Sequence, residues 1–199
     1  MEIIILAGGK GTRLKRMVSD RPKPLADING RPFLEYIMDG LIIHNASHFI
    51  LSTGYKSEKI KEHFGYSYKS VKISYSDEIQ PLGTGGAICR AINFLHTENP
   101  FLVINGDTFF NINIQNFIKF FNKSNADLSI ALFKANESGR YGLVELDDEN
   151  RMKPQKFMKA EVGQLANGGI FLMSDKILDY FSYNGGSFSM EQVFIPSII

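Results

Sequence analysis

Short apolar runs alternate along this chain with segments whose apolar residues recur at helical spacing. Three runs bounded by turn residues are predicted to be strands, 2–7, 48–53 and 101–104, and a fourth strand is predicted at 71–75, where apolar and polar residues alternate. Three segments with helical spacing separate them: 33–42, 57–64 and 85–95. Ser57 is expected to cap the second of these helices. The alternation predicts a doubly wound α/β fold, in which helices cover both faces of a mostly parallel sheet.

The pattern changes in the second half of the chain. A further helix is predicted to run through Phe121, and candidate strands follow at 127–133, 142–146 and 169–173, so the sheet is expected to be mixed. No repeat, low-complexity tract or linker divides the sequence. A chain of 199 residues is long enough for one sizeable core. We therefore expect a single domain over 1–199.

Composition and charge narrow the classes of function. Lys and Arg number 22 and Asp and Glu 21, so the net charge of +1 creates no long-range field that would attract nucleic acid or an anionic membrane. No apolar run approaches the roughly 20 residues that span a bilayer, and no secretion signal precedes the first strand. The single Cys89 excludes an internal disulfide framework, which fits a reducing compartment and also many secreted proteins. We expect a cytoplasmic protein with neither a nucleic-acid nor a membrane partner.

The loop after the first predicted strand is rich in glycine and carries two cations. Gly8, Gly9 and Gly11 fall within four positions, and Arg13 and Lys23 follow in the same connection. Glycines let a backbone approach a phosphate chain closely with its amide groups turned towards it. The spacing matches neither a Walker A motif nor a dinucleotide-binding fingerprint, in which a third glycine would replace the leucine at position 14. A phosphate cradle is the prediction, and a tight turn with solvated charges is the alternative.

Two more loops follow strands of the same predicted sheet. Residues 80–87 open a helix with several glycines, which would let its N-terminus approach a planar ligand or would simply form a turn. Asn105-Gly106-Asp107 ends a strand. A carboxylate at that edge, facing a phosphate loop, suits Mg²⁺, which takes one or two carboxylates together with phosphate oxygens and water. The alternative there is an Asx turn.

These motifs together resemble a known family. Leu6-Ala7-Gly8-Gly9-Lys10-Gly11-Thr12-Arg13-Leu14 and Pro22-Lys23-Pro24-Leu25 are similar to the signature L-A-G-G-x-G-T-R-L, then P-K-P, of the sugar-1-phosphate nucleotidyltransferases. The resemblance implies a Rossmann-like nucleotide-diphospho-sugar transferase fold, with 1–110 binding the nucleotide and 111–199 the sugar phosphate. It also implies a Mg²⁺-dependent reaction between a nucleoside triphosphate and a sugar 1-phosphate.

The resemblance assigns roles to individual residues. Arg13 would steady the departing pyrophosphate, Lys23 would contact phosphate near the reacting centre, and Asp107 would hold the metal. The segment P-L-G-T-G-G-A would frame the nucleobase, and its wording is most similar to guanylyltransferases of heptose 1-phosphates, which favours GTP. The implied nucleotide contacts are Leu6, Ala7, Gly8, Gly9, Gly11, Thr12, Arg13, Lys23, Gln80, Pro81, Gly83 and Thr84.

The sugar side of the resemblance is less regular. Tyr141-Gly142 and Asn167-Gly168-Gly169-Ile170-Phe171 resemble the F/Y-G and N-A-G-I-Y stretches that touch sugar hydroxyls in the family. Phe157-Met158-Lys159-Ala160 resembles F-x-E-K but lacks the Glu and offers its lysine one position early. The implied sugar-phosphate contacts are Gly142, Lys159, Asn167 and Gly168.

One family feature has no counterpart. The second metal-binding carboxylate, in a segment like F-x-D-I-G-T, is not found after Glu191. We therefore expect a missing C-terminal segment, other metal partners for Asp107, or weak catalysis; Glu191 would substitute only if the last helix folds back over the site. Two other functions stay open: a non-catalytic nucleotide-binding homologue, and a γ-phosphate enzyme, which the lack of a Walker A lysine disfavours.

A group of phenylalanines surrounds the start of the helix in the second half: Phe109, Phe110, Phe117, Phe120 and Phe121. Such residues more often fill a core or a subunit interface than form a stacking platform. A homo-oligomer is therefore among the expectations.

Overall fold

The structure is a computed structural model that describes residues 1–9, 21–96, 100–109, 111–154, 156–181 and 186–199. Its strands are β1 (Glu2–Leu6), β2 (Asp27–Ile28), β3 (Arg31–Pro32), β4 (His48–Thr53), β5 (Ser67–Tyr68), β6 (Val71–Asp77), β7 (Phe101–Asn105), β8 (Leu128–Lys134) and β9 (Leu165–Met173). Its α-helices are α1 (Phe33–Ile42), α2 (Ser57–Phe64), α3 (Gly83–Ala91), α4 (Ile114–Ser124), α5 (Leu178–Phe181) and α6 (Ile195–Ile198). Short 3₁₀ turns lie at Lys23–Leu25, Ile92–Phe94 and Asp175–Ile177, and a π-helical turn at Met190–Phe194 precedes α6.

Seven strands form one mixed sheet in the order β5-β6-β4-β1-β7-β9-β8. The central strand β1 runs parallel to β4 and β7, and β4 runs parallel to β6. The β5–β6, β7–β9 and β8–β9 pairs are antiparallel. The predicted doubly wound, mostly parallel sheet with mixed edges is confirmed, and a separate β2–β3 hairpin leads into α1.

The core is divided between the two faces of this sheet. Because successive side chains of a strand point to opposite faces, Ile3 of β1 packs with Leu34 of α1 on one side while Ile4 packs with Ile88 of α3 on the other. All four are fully buried. Burial on both faces explains why the centres of β1 and β4, residues 3–5 and 49–51, are continuously apolar instead of alternating.

The predicted elements of the first half are confirmed within a few residues, with one correction at α2. The helix begins at Ser57, but Ser57 does not cap it; the preceding residue Lys56 has the left-handed φ of 56° and makes no side-chain cap. The helix predicted at 85–95 begins two residues earlier, as α3, and ends in the 3₁₀ turn Ile92–Phe94.

The strand predicted at 142–146 is wrong. Gly142 pairs with Lys159, Leu143 with Ala166 and Leu146 with Met152, each as an isolated bridge. Because these partners come from three different places in the chain, no continuous ladder can form.

Two other expectations concern the phenylalanines around α4 and the lack of a membrane-spanning segment. Phe117 and Phe121 of α4 are buried, whereas Phe109 and Phe120 are exposed, and Phe110 lies outside the described residues. None of the helices within the described ranges has both the length and the apolar character that crossing a bilayer requires.

Candidate active site

A cavity of about 600 Å³ opens at the carboxyl ends of the parallel strands. The end of each parallel strand, or the loop that follows it, contributes to the lining of this cavity. The residues are Leu6, Ala7, Gly8 and Gly9 at β1, Gly54 and Tyr55 at β4, Glu78, Ile79 and Pro81 at β6, and Asn105 and Asp107 at β7. Lys23, Pro24, Gly83 and Thr84 complete the lining. This is the edge at which open α/β sheets bind ligands.

Lys23 and Asp107 meet in this cavity. Lys23 begins the 3₁₀ turn whose Pro24 and Leu25 are buried, and this anchors its backbone beside the cavity. Its Nζ lies 3.1 Å from Oδ2 of Asp107, and the two side chains are 22% and 44% exposed. Asp107 Oδ1 accepts a longer hydrogen bond, of 3.3 Å, from Thr108 Oγ1. The structure thus brings together the predicted phosphate-binding cation and the predicted metal-binding carboxylate.

The glycine loop approaches its neighbours closely. A Cβ added at Gly8 would lie 2.8 Å from Oε1 of Glu78, so a side chain larger than hydrogen would displace that carboxylate. This contact joins the loop after β1 to the loop after β6. The rest of the predicted phosphate loop, including Gly11, Thr12 and Arg13, lies outside the described residues.

Seven of the nucleotide contacts implied by the sequence resemblance line the cavity besides Lys23: Leu6, Ala7, Gly8, Gly9, Pro81, Gly83 and Thr84. Gln80 is exposed and is not part of the lining. The loop after β6 therefore lines the cavity with Glu78, Ile79 and Pro81 and not with Gln80.

Glu78 is a cavity residue that sequence reasoning missed. Its Oε2 accepts a hydrogen bond of 2.9 Å from the backbone N–H of Leu82, and its Oε1 accepts one of 3.2 Å from Ser52 Oγ, which belongs to a fully buried residue. Glu78 thereby holds the loop 78–82 against β4. An acidic residue directly after a parallel strand, at the same sheet edge as Asp107, is the sequence signal that could have found it.

The neighbouring carboxylate of Asp77 has a structural role. Burial raises its pKa, but hydrogen bonds from Lys61 and Thr53 outweigh burial, so the pKa lies below its usual value. Thr53 Oγ1 donates to Asp77 Oδ1 at 2.7 Å, and Lys61 Nζ pairs with Oδ2. These bonds fix the end of β6 from which the cavity loop departs.

A second, smaller cavity of about 30 Å³ lies on the predicted sugar side. It contains Gly142 and Asn167 from the sequence prediction, and the Asn167 N–H donates to the Gly142 carbonyl at 3.1 Å. The adjacent Gly168 is buried in β9 and is not in this lining. Lys159 lines neither cavity: it pairs with Gly142 in a bridge, and its exposed Nζ donates to the carbonyl of Arg140 at 3.4 Å.

The last segment of the chain folds back over α3. The Phe188 N–H donates to the Leu82 carbonyl, and the Gly85 N–H donates to the Phe188 carbonyl, both at 2.9 Å. A Cβ at Gly85 would lie 2.2 Å from Cε2 of Phe188. The Phe188 ring therefore occupies the space beside Gly85, and the approach of a planar ligand to this segment stays a prediction for Gly83 and Thr84, which line the larger cavity.

Glu191, in the same folded-back segment, does not lie in the larger cavity with Asp107. It lines the smaller one, and its Oε2 accepts hydrogen bonds from Thr84 Oγ1 at 3.0 Å and from Ser189 Oγ at 2.8 Å. Over the described part of the chain, no three His, Cys, Asp or Glu side chains are grouped as a metal site.

Glycines, a lysine and a carboxylate at the carboxyl edge of a parallel sheet are features that phosphate- and nucleotide-binding sites of α/β proteins share. Residues 2–194 match the model of the nucleotidyl transferase family, and the chain belongs to that family. This confirms the family that the motifs resemble.

The chain is similar to two relatives that are named as heptose 1-phosphate guanylyltransferases. It is 39% identical over 192 residues to the D-glycero-alpha-D-manno-heptose 1-phosphate guanylyltransferase of Campylobacter jejuni, covering 96% of this chain and 84% of that protein. The protein of the same name from Aneurinibacillus thermoaerophilus is 40% identical over 195 residues, covering 98% and 84%. The crystal structure of HddC from Yersinia pseudotuberculosis complexed with GMP-PN matches with a TM-score of 0.84 at 34% identity, covering 100% of this chain and 86% of that one.

Proposed function

We propose that this nucleotidyltransferase joins a heptose 1-phosphate to the guanylyl group of GTP and releases pyrophosphate. The observation that carries the proposal is the meeting of Lys23 and Asp107, 3.1 Å apart, in a cavity bordered by the glycine loop. The two guanylyltransferase relatives and the HddC complex support the choice of nucleotide and acceptor.

The reaction requires no general base to form its nucleophile. The acceptor is a phosphate monoester whose second pKa is about 6, so it is mostly dianionic at neutral pH. One of its oxygens forms a bond to the α-phosphorus of GTP, and the bond from that phosphorus to the β-phosphate breaks, with the electron pair leaving on pyrophosphate. Repulsion between anions is the obstacle, so catalysis consists of positioning and charge neutralisation.

Three cationic side chains each neutralise the charge of a different phosphate group. Lys23, already in the cavity, contacts the α-phosphate, and Arg13, outside the described residues, contacts the leaving pyrophosphate. Lys159 serves the acceptor phosphate; its present hydrogen bond to the Arg140 carbonyl, at 3.4 Å, is long enough for a phosphate oxygen to replace it readily. Gly142, Asn167 and Gly168 form the sugar side.

The site also fits Mg²⁺. Asp107 has a half-exposed carboxylate in the cavity lining, and one carboxylate with phosphate oxygens and water is a usual Mg²⁺ environment. The ion would neutralise the charge that develops on the phosphates as the bond breaks. Lys23 would then exchange its bond to Asp107 for one to the substrate.

The nucleobase is assigned from Glu78 and its loop. One edge of guanine presents two neighbouring donors, N1–H and the 2-amino group, where adenine presents an acceptor and a hydrogen. An ionised carboxylate accepts only, and each of its oxygens has two lone pairs, so Glu78 keeps accepting capacity beyond its bonds to Leu82 and Ser52. A carboxylate in the lining therefore favours GTP over ATP.

The test is a pyrophosphate-release screen of four nucleoside triphosphates against a panel of sugar 1-phosphates with Mg²⁺. We expect release only when both substrates are present, and fastest with GTP and a heptose 1-phosphate. Release of nucleoside diphosphate would overturn the proposal in favour of a γ-phosphate enzyme. Nucleotide binding in calorimetry without turnover of any pair would overturn it in favour of a non-catalytic homologue.

A further inference from the structure

Thr84 connects the nucleotide cavity to the C-terminal segment. It lies in the first turn of α3 and belongs to the lining of the larger cavity. Its hydroxyl donates to Glu191 Oε2 at 3.0 Å and accepts from the Met190 N–H at 2.8 Å. Both bonds of this hydroxyl are therefore made to one segment of the chain, and the position of that segment controls the orientation of Thr84.

Glu191 is held in place from two sides. Besides Thr84, Ser189 Oγ donates to the same oxygen, Oε2, at 2.8 Å, and Ser189 Oγ in turn accepts from the Glu191 N–H at 3.2 Å. The other oxygen, Oε1, has no hydrogen-bond partner among the residues that the structure describes. A carboxylate that has one oxygen fixed and the other without a partner can accept a hydrogen bond from a ligand without moving.

The surroundings of Glu191 indicate what it accepts from. The side chain lines the smaller cavity with Gly142 and Asn167, the residues that we place on the sugar side. Among the described residues of that lining, Glu191 has the only charged side chain and Asn167 the only other polar one; the remaining side chains are apolar, apart from Gly142. At about 30 Å³ the cavity has room for a single hydroxyl group or water molecule and not for a whole sugar.

We infer that Glu191 is a positioning residue that links the two substrates: Oε1 accepts a hydrogen bond from one hydroxyl of the acceptor sugar, while Oε2, through Thr84, holds the nucleobase loop. Acceptor binding then restrains the carboxylate, and the carboxylate restrains Thr84 at the wall of the nucleotide cavity. The two substrates consequently bind more tightly together than either does alone. This inference rests on the proposed function for the identity of the acceptor.

The experiment measures the linkage directly. The affinity of a non-hydrolysable GTP analogue is determined by calorimetry with and without heptose 1-phosphate, in the wild-type chain and in Glu191→Gln, Thr84→Val and Thr84→Ser. In the wild type we expect the acceptor to tighten analogue binding about fivefold or more, the lower end of usual coupling between sites. Glu191→Gln and Thr84→Val should abolish this enhancement, and Thr84→Ser, which keeps the hydroxyl, should retain it.

Steady-state kinetics separate positioning from structural damage. Glu191→Gln should raise KM for the sugar phosphate about tenfold, as expected for loss of a hydrogen bond to a charged group, and leave kcat within about threefold. Thr84→Val should change that KM less. Absence of enhancement in the wild type, or equal enhancement in all four proteins, would overturn the inference. The readout is binding, so it remains decisive if no pyrophosphate is released, an outcome that would sink the proposed function alone.

Discussion

Lys23 Nζ and Asp107 Oδ2 form an ion pair of 3.1 Å between residues that are 84 positions apart in the sequence. Both side chains are partly exposed, and exposed ion pairs contribute only about 0–1 kcal/mol to stability. The pair therefore matters for the site more than for the fold. A lysine and a carboxylate held together at a cavity can separate at little cost when a nucleotide arrives with its metal.

Removal of the Lys23 charge should impair the reaction without unfolding the protein. We expect Lys23→Met, which keeps most of the side-chain length, to lower the rate of pyrophosphate release by about 100- to 1,000-fold, because a preorganised charge in a partly dry site contributes a few kcal/mol to the transition state. The melting temperature should change by no more than about 4 °C.

The matched control is Lys176→Met. Lys176 is exposed in the turn after β9, at the opposite edge of the sheet, where Met173 pairs with Phe101 at the start of β7. The rate of pyrophosphate release by Lys176→Met should stay at the wild-type level. Equal rates for the two variants would contradict the assignment of Lys23.

Asp107 should determine the dependence on metal. Asp107→Asn keeps the size of the side chain and an oxygen that can accept from Lys23, but it removes the charge that attracts a divalent cation. We expect the Mg²⁺ concentration for half-maximal activity to rise about tenfold or more, the usual scale for loss of one charge-assisted contact. A Mg²⁺ titration of pyrophosphate release checks this, with Asp175→Asn in the distant 3₁₀ turn as control. An unchanged titration midpoint would remove Asp107 from the metal site.

Glu78 should govern the choice of base. In Glu78→Gln the amide oxygen can still accept from the Leu82 N–H, but the amide nitrogen is a donor and would face the donor edge of guanine. We expect the ratio of kcat/KM for GTP to that for ATP to fall about tenfold, which corresponds to one lost hydrogen bond of ordinary strength. Glu62→Gln, an exposed change on α2, should leave the ratio unchanged. A uniform loss with both nucleotides would show that Glu78 only supports the loop.

The glycines of α3 allow a test of packing by the C-terminal segment. Ala at position 85 would place its Cβ 2.2 Å from the Phe188 ring, so we expect Gly85→Ala to cost about 1–3 kcal/mol of unfolding free energy, the usual range for overpacking. At Gly40, in α1, an added Cβ meets nothing within 4 Å, and Gly40→Ala should stabilise by about 0.4–1 kcal/mol. Urea unfolding of both variants measures the difference. Similar changes at the two positions would contradict the packing of Phe188 on α3.

The sequence pattern predicts individual strands and helices, but it does not predict contacts between segments that are distant in the chain. The strands β1, β4 and β7 each contain at least three consecutive apolar residues because both faces of the sheet are covered, and so these runs stand out in the sequence. Residues 142–146 form a short segment between polar connections, as a strand would, but their partners lie in three separate segments. No local signal could reveal that.

The same distinction holds for the site. Lys23 and Asp107 stand in motifs that are recognisable by themselves. Glu78 is held by Ser52, 26 positions away in the sequence, and Glu191 is held by Thr84, 107 positions away. These contacts exist only in the folded chain. The packing of Phe188 against Gly85 is a further contact between distant segments that the sequence alone does not reveal.

A buried pair at the amino edge of the sheet should make stability depend on pH. His48 Nδ1 lies 2.8 Å from Glu2 Oε1, both residues are 4% exposed, and His48 Nε2 contacts Ser74 Oγ. Burial lowers the His48 pKa below 6.5; Glu2 opposes this, while the nearby Lys72 and His96 add to the lowering. The folded protein therefore binds fewer protons than the unfolded chain in the window just below pH 6.5.

The free energy of unfolding that the neutral His48 imidazole contributes is consequently present in full above pH 6.5. This contribution is lost as the pH falls from 6.5 towards the lower pKa that His48 has in the folded protein. We expect the melting temperature to drop between about pH 7.5 and pH 5.5, and His48→Gln, which cannot titrate, to flatten this part of the profile. If His48→Gln and the wild type lose the same number of degrees over this interval, protonation of His48 does not drive the loss, and other titratable groups of the chain do so.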